Sequence, residues 1–232
     1  GMLNSSFIDI SGEIFLRAYG TFPHPNILAG WLLLMTVIIL LSFKKSLLEY
    51  VALIFISLLM VLTFSRISIL LYIFILLLFF LSRAIKRESL LSLSGLLWIR
   101  FMNVFNGDSS WVDRVKLFKL NIEILKENVL LGTGIGNSLR YYDGRIPYTD
   151  AGRLLVQPVH NVFLLSFVEM GIAVALYFWF VIYRFFIKGV RWEVLKVGIV
   201  IILVVVGMFD HYLLSLPQGL VILFSFLLLL SY

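Results

Sequence analysis

Residues 47–81 read LLEYVALIFISLLMVLTFSRISILLYIFILLLFFL, and only Glu49 and Arg66 in them carry a charge. The apolar residues run continuously instead of alternating, which is the pattern of buried helix and not of a half-exposed strand. The run is broken once, at Thr63-Phe64-Ser65-Arg66, so it reads as two helices with almost no loop between them. Working outward, the same texture recurs at 27–43, 89–104, 161–186, 194–208 and 217–230. With 47–64 and 67–81 these make seven candidate spans. Several are shorter than the roughly 20 residues a straight membrane crossing needs.

Composition points the same way. Of the 232 residues 61% are hydrophobic, against about 45–50% in soluble domains by a count that also includes Gly. A soluble fold needs a polar skin that this chain cannot supply, so the bilayer is expected as solvent. Backbone groups in lipid must then be satisfied inside helices or closed barrels. Cysteine is absent, which excludes disulfides, thiolate metal sites and thiol nucleophiles.

The net charge of +6 would hint at nucleic acid in a soluble protein, but here topology accounts for it. Basic residues gather at three alternate connections: Lys44 and Lys45; Arg83, Lys86 and Arg87; and Arg184, Lys188, Arg191 and Lys196. The positive-inside rule places these on the cytoplasmic side. The long, nearly neutral segment 105–158 then lies outside. The expected fold is an all-α polytopic transmembrane bundle of about seven spans with a helical external loop. Its parts are an external entry segment at 1–26, transmembrane helices at 27–104, the external (periplasmic) loop at 105–158, and further transmembrane helices at 159–232. A chain that starts outside without a signal sequence leads us to expect further spans upstream.

Inside the external loop, Trp111, Val115, Phe118, Ile122, Leu125 and Val129 recur at helical spacing. The spacing predicts a helix of about five turns, ended by Gly132 as its C-cap. The glycines of Leu131-Gly132-Thr133-Gly134-Ile135-Gly136-Asn137 imitate a nucleotide fingerprint, but no strand precedes them and no βαβ unit follows. They read as a tight external turn, with a phosphate-binding nest of backbone amides as the functional alternative.

Six positions stand out chemically. Arg66 sits between two apolar spans, either as a side chain snorkelling to the interface or as an anion-binding group. Arg114 is an ordinary helix-surface residue or a two-point phosphate contact. His160 and Asn161 open the fifth span, and Glu169 lies within it, where a carboxylate usually faces a cavity or a partner. Asp210 and His211 close the sixth span. His24, between Pro23 and Pro25, reads as structural. Three histidines without HExxH-type spacing make a poor metal site, so none is assigned.

In order along the chain these are Gly-Thr-Phe-Pro-His-Pro-Asn-x-Leu-Ala-Gly before a span, Phe-Ser-Arg between spans and an Arg-bearing external helix. Leu-Leu-Gly-x-Gly-x-Gly-Asn, His-Asn-x-x-Leu-x5-Glu-x-Gly and a late Asp-His follow. The set resembles the later half of the O-antigen ligase family, whose shared domain also occurs in some O-antigen polymerases and protein oligosaccharyltransferases. The resemblance implies transfer of a glycan from an undecaprenyl-diphosphate carrier to a glycan, lipid or protein acceptor. It places the work at the outer face of the bacterial inner membrane, in lipopolysaccharide or other surface-polysaccharide assembly, with no cofactor and no nucleic acid. It implies that Arg66 and Arg114 hold the diphosphate and that His160 activates the acceptor hydroxyl. Glu169, Asp210, His211 and Asn161 are supporting candidates. The chemistry is coherent by itself: a diphosphate leaving group needs positive charge, and an acceptor hydroxyl needs a base. A repeat-unit polymerase shares that chemistry, and a lipid-linked sugar transporter is the more distant alternative.

Overall fold

The computed structural model describes residues 7–10, 13–82, 109–149, 152–188, 190 and 193–231. Its body is helical, as expected for an all-α chain. One addition lies in the entry segment: β1 (Phe7–Ile10) and β2 (Glu13–Leu16) form an antiparallel hairpin with Phe7 opposite Leu16. Strands this short leave no readable alternation in the sequence.

After the hairpin, α1 (Pro25–Leu41) starts where His24 serves as N-cap, its Nδ1 accepting from the Asn26 amide at 3.1 Å, with Pro25 in the first turn. His24 therefore has the capping place expected of it, and it also lines the cavity described below. Next, α2 (Leu47–Leu62) opens on a reciprocal capping box between Ser46 and Glu49. The break between α2 and α3 (Arg66–Ser82) is a tight turn. Thr63 Oγ1 donates to the Met60 carbonyl and accepts from the Ser65 amide, while Phe64 takes a left-handed φ of 48°. A bulky residue held there stores strain. Arg66 is thereby fixed as the first residue of α3.

The loop helix α4 spans Ser109–Glu127. Its helical spacing is as expected, but its buried face is not. Leu117, Leu120, Asn121 and Ile124 are buried, whereas Trp111 and Phe118 are exposed. The apolar stripe is wider than the face that packing uses, and the buried side is the one turned to α5 (Val162–Met170). The helix also stops at Glu127, short of Gly132. A 3-10 turn at Ser138–Tyr142 completes this lobe. Tyr142 is fully buried, and its hydroxyl takes a 2.6 Å hydrogen bond from Asn121 Nδ2.

The fifth expected span is broken. It forms α5 and α6 (Ile172–Ile182), followed by a π-helical turn at Tyr183–Ile187. The break is Gly171, at φ 75° and ψ 165°, a conformation essentially confined to glycine. The glycine-rich turn after α4 docks on it. The amides of Thr133, Gly134 and Ile172 donate to the carbonyls of Val168, Glu169 and Val129, each at 2.9 Å. A Cβ on Gly132 would strike the Glu169 carbonyl and the Gly171 nitrogen, and one on Gly171 would strike the Leu130 carbonyl. These glycines permit close backbone approach and are neither a nucleotide fingerprint nor a simple helix cap.

The chain ends with α7 (Val194–Phe209), α8 (Tyr212–Ser215) and α9 (Pro217–Ser231). Central in the bundle, α1 packs against α2, α3, α7 and α9. Its Gly30 admits the Tyr212 hydroxyl, which would lie 2.5 Å from a Cβ there. One apolar core lies among these helices and a second between α4, α5 and the 3-10 turn, so α5 joins bundle to lobe.

The expectation of full-length spans is corrected. Among the described residues, no helix is long and apolar enough to cross a membrane. The apolar helices α1, α2, α3, α7 and α9 have 17, 16, 17, 16 and 15 residues. At ~1.5 Å per residue each covers about 23–26 Å, against a hydrocarbon core of about 30 Å. The expected span at 89–104, with Arg83, Lys86 and Arg87 before it, lies outside the described residues, as does Arg191.

Candidate functional site

Four of the stretches of chain that line one cavity of about 300 Å³ carry polar side chains that the sequence singled out. Arg66 comes from the first residue of α3, and Arg114 from the first half of α4. His160 comes from the loop before α5, and Asp210 from the residue that caps α7. Trp111 stands one turn before Arg114 and tilts against Phe209 at 6.0 Å. The sequence singled out Arg66, Arg114, His160 and Asp210 separately; folding brings all four to the same space. His211 adjoins them, its ring edge-on to that of His160 at 5.0 Å, with Nδ1 bonded to Ser215 Oγ at 2.6 Å.

The other two candidates are placed elsewhere. Asn161 is the N-cap of α5: its Oδ1 accepts from the Leu164 amide at 2.8 Å and its Nδ2 donates to the Met208 carbonyl. Glu169, near the far end of α5, accepts from the Gly136 amide at 2.9 Å and from Ser138 Oγ at 2.8 Å. Its carboxylate therefore fills the very turn that the sequence offered as a phosphate nest. Both residues hold the scaffold, and neither lines the cavity.

Two cavity residues escaped the sequence reading. Arg17 follows β2. Its Nε donates to the Thr63 carbonyl at 2.8 Å and its Nη2 to Asn26 Oδ1 at 3.0 Å. Asn26, in the first turn of α1, passes the contact on: its Nδ2 donates to Asp210 Oδ2 at 2.6 Å. The only available signal was an arginine and an asparagine flanking the Pro-His-Pro entry loop, where the prolines dominate the reading.

The electrostatics are lopsided. Among the described residues, three guanidiniums and three imidazoles lie around the Asp210 carboxylate. Burial alone would raise the Asp210 carboxyl, but His160, His211, His24 and Arg114 together hold it below its ordinary value. Amide donors from Asn26 and His211 add to this, since hydrogen bonds to a carboxylate favour its charged form. Burial pushes the His160 imidazole well down. Asp210 opposes the shift, and His211, Arg114 and His24 reinforce it. His211 and His24 are lowered for the same first reason. His160 is therefore neutral at pH 7, and among the described residues its buried Nδ1 has no hydrogen-bond partner. An unpaired buried ring nitrogen costs about 1–3 kcal/mol.

His160, Asp210 and His211 also present one donor atom each, all within 4.8 Å of one another. The number and type of donors would suit a divalent cation, but the neighbouring guanidiniums oppose one. The same field favours an anion. Arginine can grip phosphate oxygens in two-point contact, and a buried neutral imidazole beside a carboxylate can take a proton.

No curated protein and no solved structure matches the chain. Residues 28–179 match the family model described as O-antigen ligase. That stretch holds Arg66, Arg114 and His160, three of the four converging residues, and covers more than half of the sequence. The chain belongs to the O-antigen ligase family.

Proposed function

We propose that the chain is a membrane glycosyltransferase that moves a glycan from an undecaprenyl-diphosphate carrier to an acceptor hydroxyl. The observation that carries this is the convergence of Arg66, Arg114, His160 and Asp210 on one cavity. The acceptor oxygen attacks the anomeric carbon, and the bond from that carbon to the diphosphate oxygen breaks. The acceptor proton passes to the His160 imidazole and later to solvent. The electron pair leaves with the carrier diphosphate, whose charge Arg66 and Arg114 stabilise. Asp210 steadies the imidazolium that forms. The sugar–phosphate bond is already activated, so the reaction needs no nucleotide and no cofactor.

Membrane placement is part of this reading. On α2 only Leu53, Ile56 and Met60 are buried, while Leu47, Ile54 and Leu58 are 80%, 62% and 61% exposed. Apolar surface of that kind belongs against lipid or another apolar partner. In this reading residues 105–158 and the cavity face the periplasm or cell exterior, and the Lys44–Lys45 and Arg184–Lys196 connections face the cytoplasm. The expected division at 27–104, 105–158 and 159–232 is retained on that basis.

The experiment is reconstitution of the full chain with an undecaprenyl-diphosphate-linked oligosaccharide. It is offered either a lipid A–core acceptor or a second carrier-linked oligosaccharide. Product on the first acceptor identifies a ligase, and product on the second a repeat-unit polymerase. Transfer persists in EDTA. A folded protein that transfers to neither acceptor overturns the proposal, and transfer lost in EDTA and restored by a divalent ion returns His160, Asp210 and His211 to metal ligation.

A further inference from the structure

The polar chain behind Asp210 is longer than a glycosyl transfer needs. It starts at the end of α2, where the Thr63 carbonyl accepts from Arg17 Nε. It continues through the Arg17 fork to Asn26 on α1 and ends on Asp210 at the close of α7. Three hydrogen bonds of 2.8, 3.0 and 2.6 Å thus tie three helices to one carboxylate oxygen. Ala18 secures the same strand segment by donating its amide to the Leu62 carbonyl at 2.9 Å. The second carboxylate oxygen is held by the His211 amide at 2.8 Å. Both oxygens of Asp210 are therefore fixed from outside the His160 ring.

We propose that Arg17 and Asn26 are positioning residues that pin the Asp210 carboxylate beside the His160 imidazole and so set that histidine's readiness to take a proton. This rests on the reading of His160 as the acceptor base. Arg17 draws on the Asn26 carbonyl oxygen, which polarises the amide and strengthens its N–H as a donor to Asp210. A donor bond to a carboxylate favours its ionised form. Losing it raises the proton affinity of the whole Asp210–His160 cluster. Among the described residues, the other charged or titratable groups facing the cluster are His24 from the α1 entry, Arg66 from α3, Arg114 from α4, His211, and Tyr212 from α8, with Glu169 acting on His211 from farther along α5. The Arg17 charge also acts directly on His24, so the Asn26 variants, which leave every charge in place, carry the test and the Arg17 variants support it.

The test needs no glycan donor. The chain has three histidines, so ring-labelled protein in detergent gives three imidazole titrations by NMR, assigned by single His→Gln variants. Asn26→Leu is expected to raise the cluster's titration midpoint by about one to two pH units, the equivalent of one hydrogen bond to a charged group. Arg17→Gln raises it by less, and Arg17→Lys lies between wild type and Arg17→Gln. Arg140→Gln, on the 3-10 turn and outside the cavity, leaves it unchanged. If Asn26→Leu does not fold, Asn26→Gln keeps the amide but displaces it by one methylene and must also move the midpoint. Unmoved His160 and His211 titrations in folded Asn26 and Arg17 variants overturn the proposal and leave the two residues as fasteners of the entry segment. A moved titration in a protein that transfers no glycan upholds the positioning chain and sinks only the transferase reading.

Discussion

Replacing Asp210 with Asn removes the one carboxylate in the cavity while keeping its shape. The donor atoms of His160, Asp210 and His211 lie within 4.8 Å of one another. At an effective dielectric of about 20, unit charges at that separation interact by about 3.5 kcal/mol, or about 2.5 pK units. The imidazole is already pushed down by burial and by its cationic neighbours, so Asp210→Asn makes the imidazolium harder still to form. If about half of that energy is felt in the transition state, the rate falls by roughly 20-fold, since each 1.36 kcal/mol is a factor of ten. Loss of ring orientation comes on top. The expected total is a loss of about 10²-fold in transfer of a labelled oligosaccharide, with the acid limb of the rate profile moving to lower pH. Asp210→Glu, which keeps the charge but shifts it, loses less. Transfer by Asp210→Asn within a few-fold of wild type, with an unmoved acid limb, refutes the electrostatic coupling of Asp210 to His160.

His160→Gln keeps a polar side chain that cannot take up a proton. Transfer should fall by about 10²–10⁴-fold with helicity by circular dichroism unchanged, and a smaller loss makes the ring structural. Arg66→Lys and Arg114→Lys retain charge but not the two-point grip; each should lower kcat/KM for the diphosphate donor about 10- to 100-fold, and equal activity excludes phosphate recognition by that residue. Gly171→Ala adds about 1–3 kcal/mol of backbone strain and drives a methyl into the Leu130 carbonyl. With the three docking hydrogen bonds at about 0.5–1.5 kcal/mol each, the cost is about 2.5–7.5 kcal/mol, read as faster proteolysis within 128–137; an unchanged cleavage rate means the turn is not held there.

Helix positions were legible because an uninterrupted apolar run leaves the backbone little choice. The ends of α1, α2, α3, α7 and α9 fall within a few residues of the expected ones. The break at Gly171 was not legible. One glycine in an apolar run looks tolerable, and only the docked turn from 130–134 makes it necessary. Arg114, His160 and Asp210 stood out through the family motifs, and Arg66 as a charge in a costly place. Glu169 was visible for the same reason and proved to serve the scaffold, because a backbone amide and a serine hydroxyl reach it before the cavity does. Arg17 and Asn26 were missed because their importance lies in partners 46 and 184 residues away, and no local pattern encodes such a separation.

The described lining of the cavity is rich in guanidinium groups, and in the proposed reading this bears on how its base works. Among the described residues that line it are Arg17, Arg66, Arg114 and Asp210, and Arg114 is among the groups that depress His160. A base held so far down protonates only in acid, which leaves it neutral at physiological pH but a weak proton acceptor. A diphosphate diester brings negative charge that does not titrate near neutrality. In the proposed reading, such a donor seated against the arginines offsets their field and raises the basicity of His160. That reading couples proton transfer to donor binding. The pH profiles of kcat/KM and kcat report the free enzyme and the donor complex respectively. The acid limb of kcat/KM should therefore lie below the ordinary imidazole value of about 6.5, and the limb of kcat should lie above that of kcat/KM. Arg114→Gln, in the fraction of activity it keeps, should bring the two limbs closer by raising the lower one. Coincident limbs in the wild type, or a kcat/KM limb at or above 6.5, would show that the arginines do not govern the base.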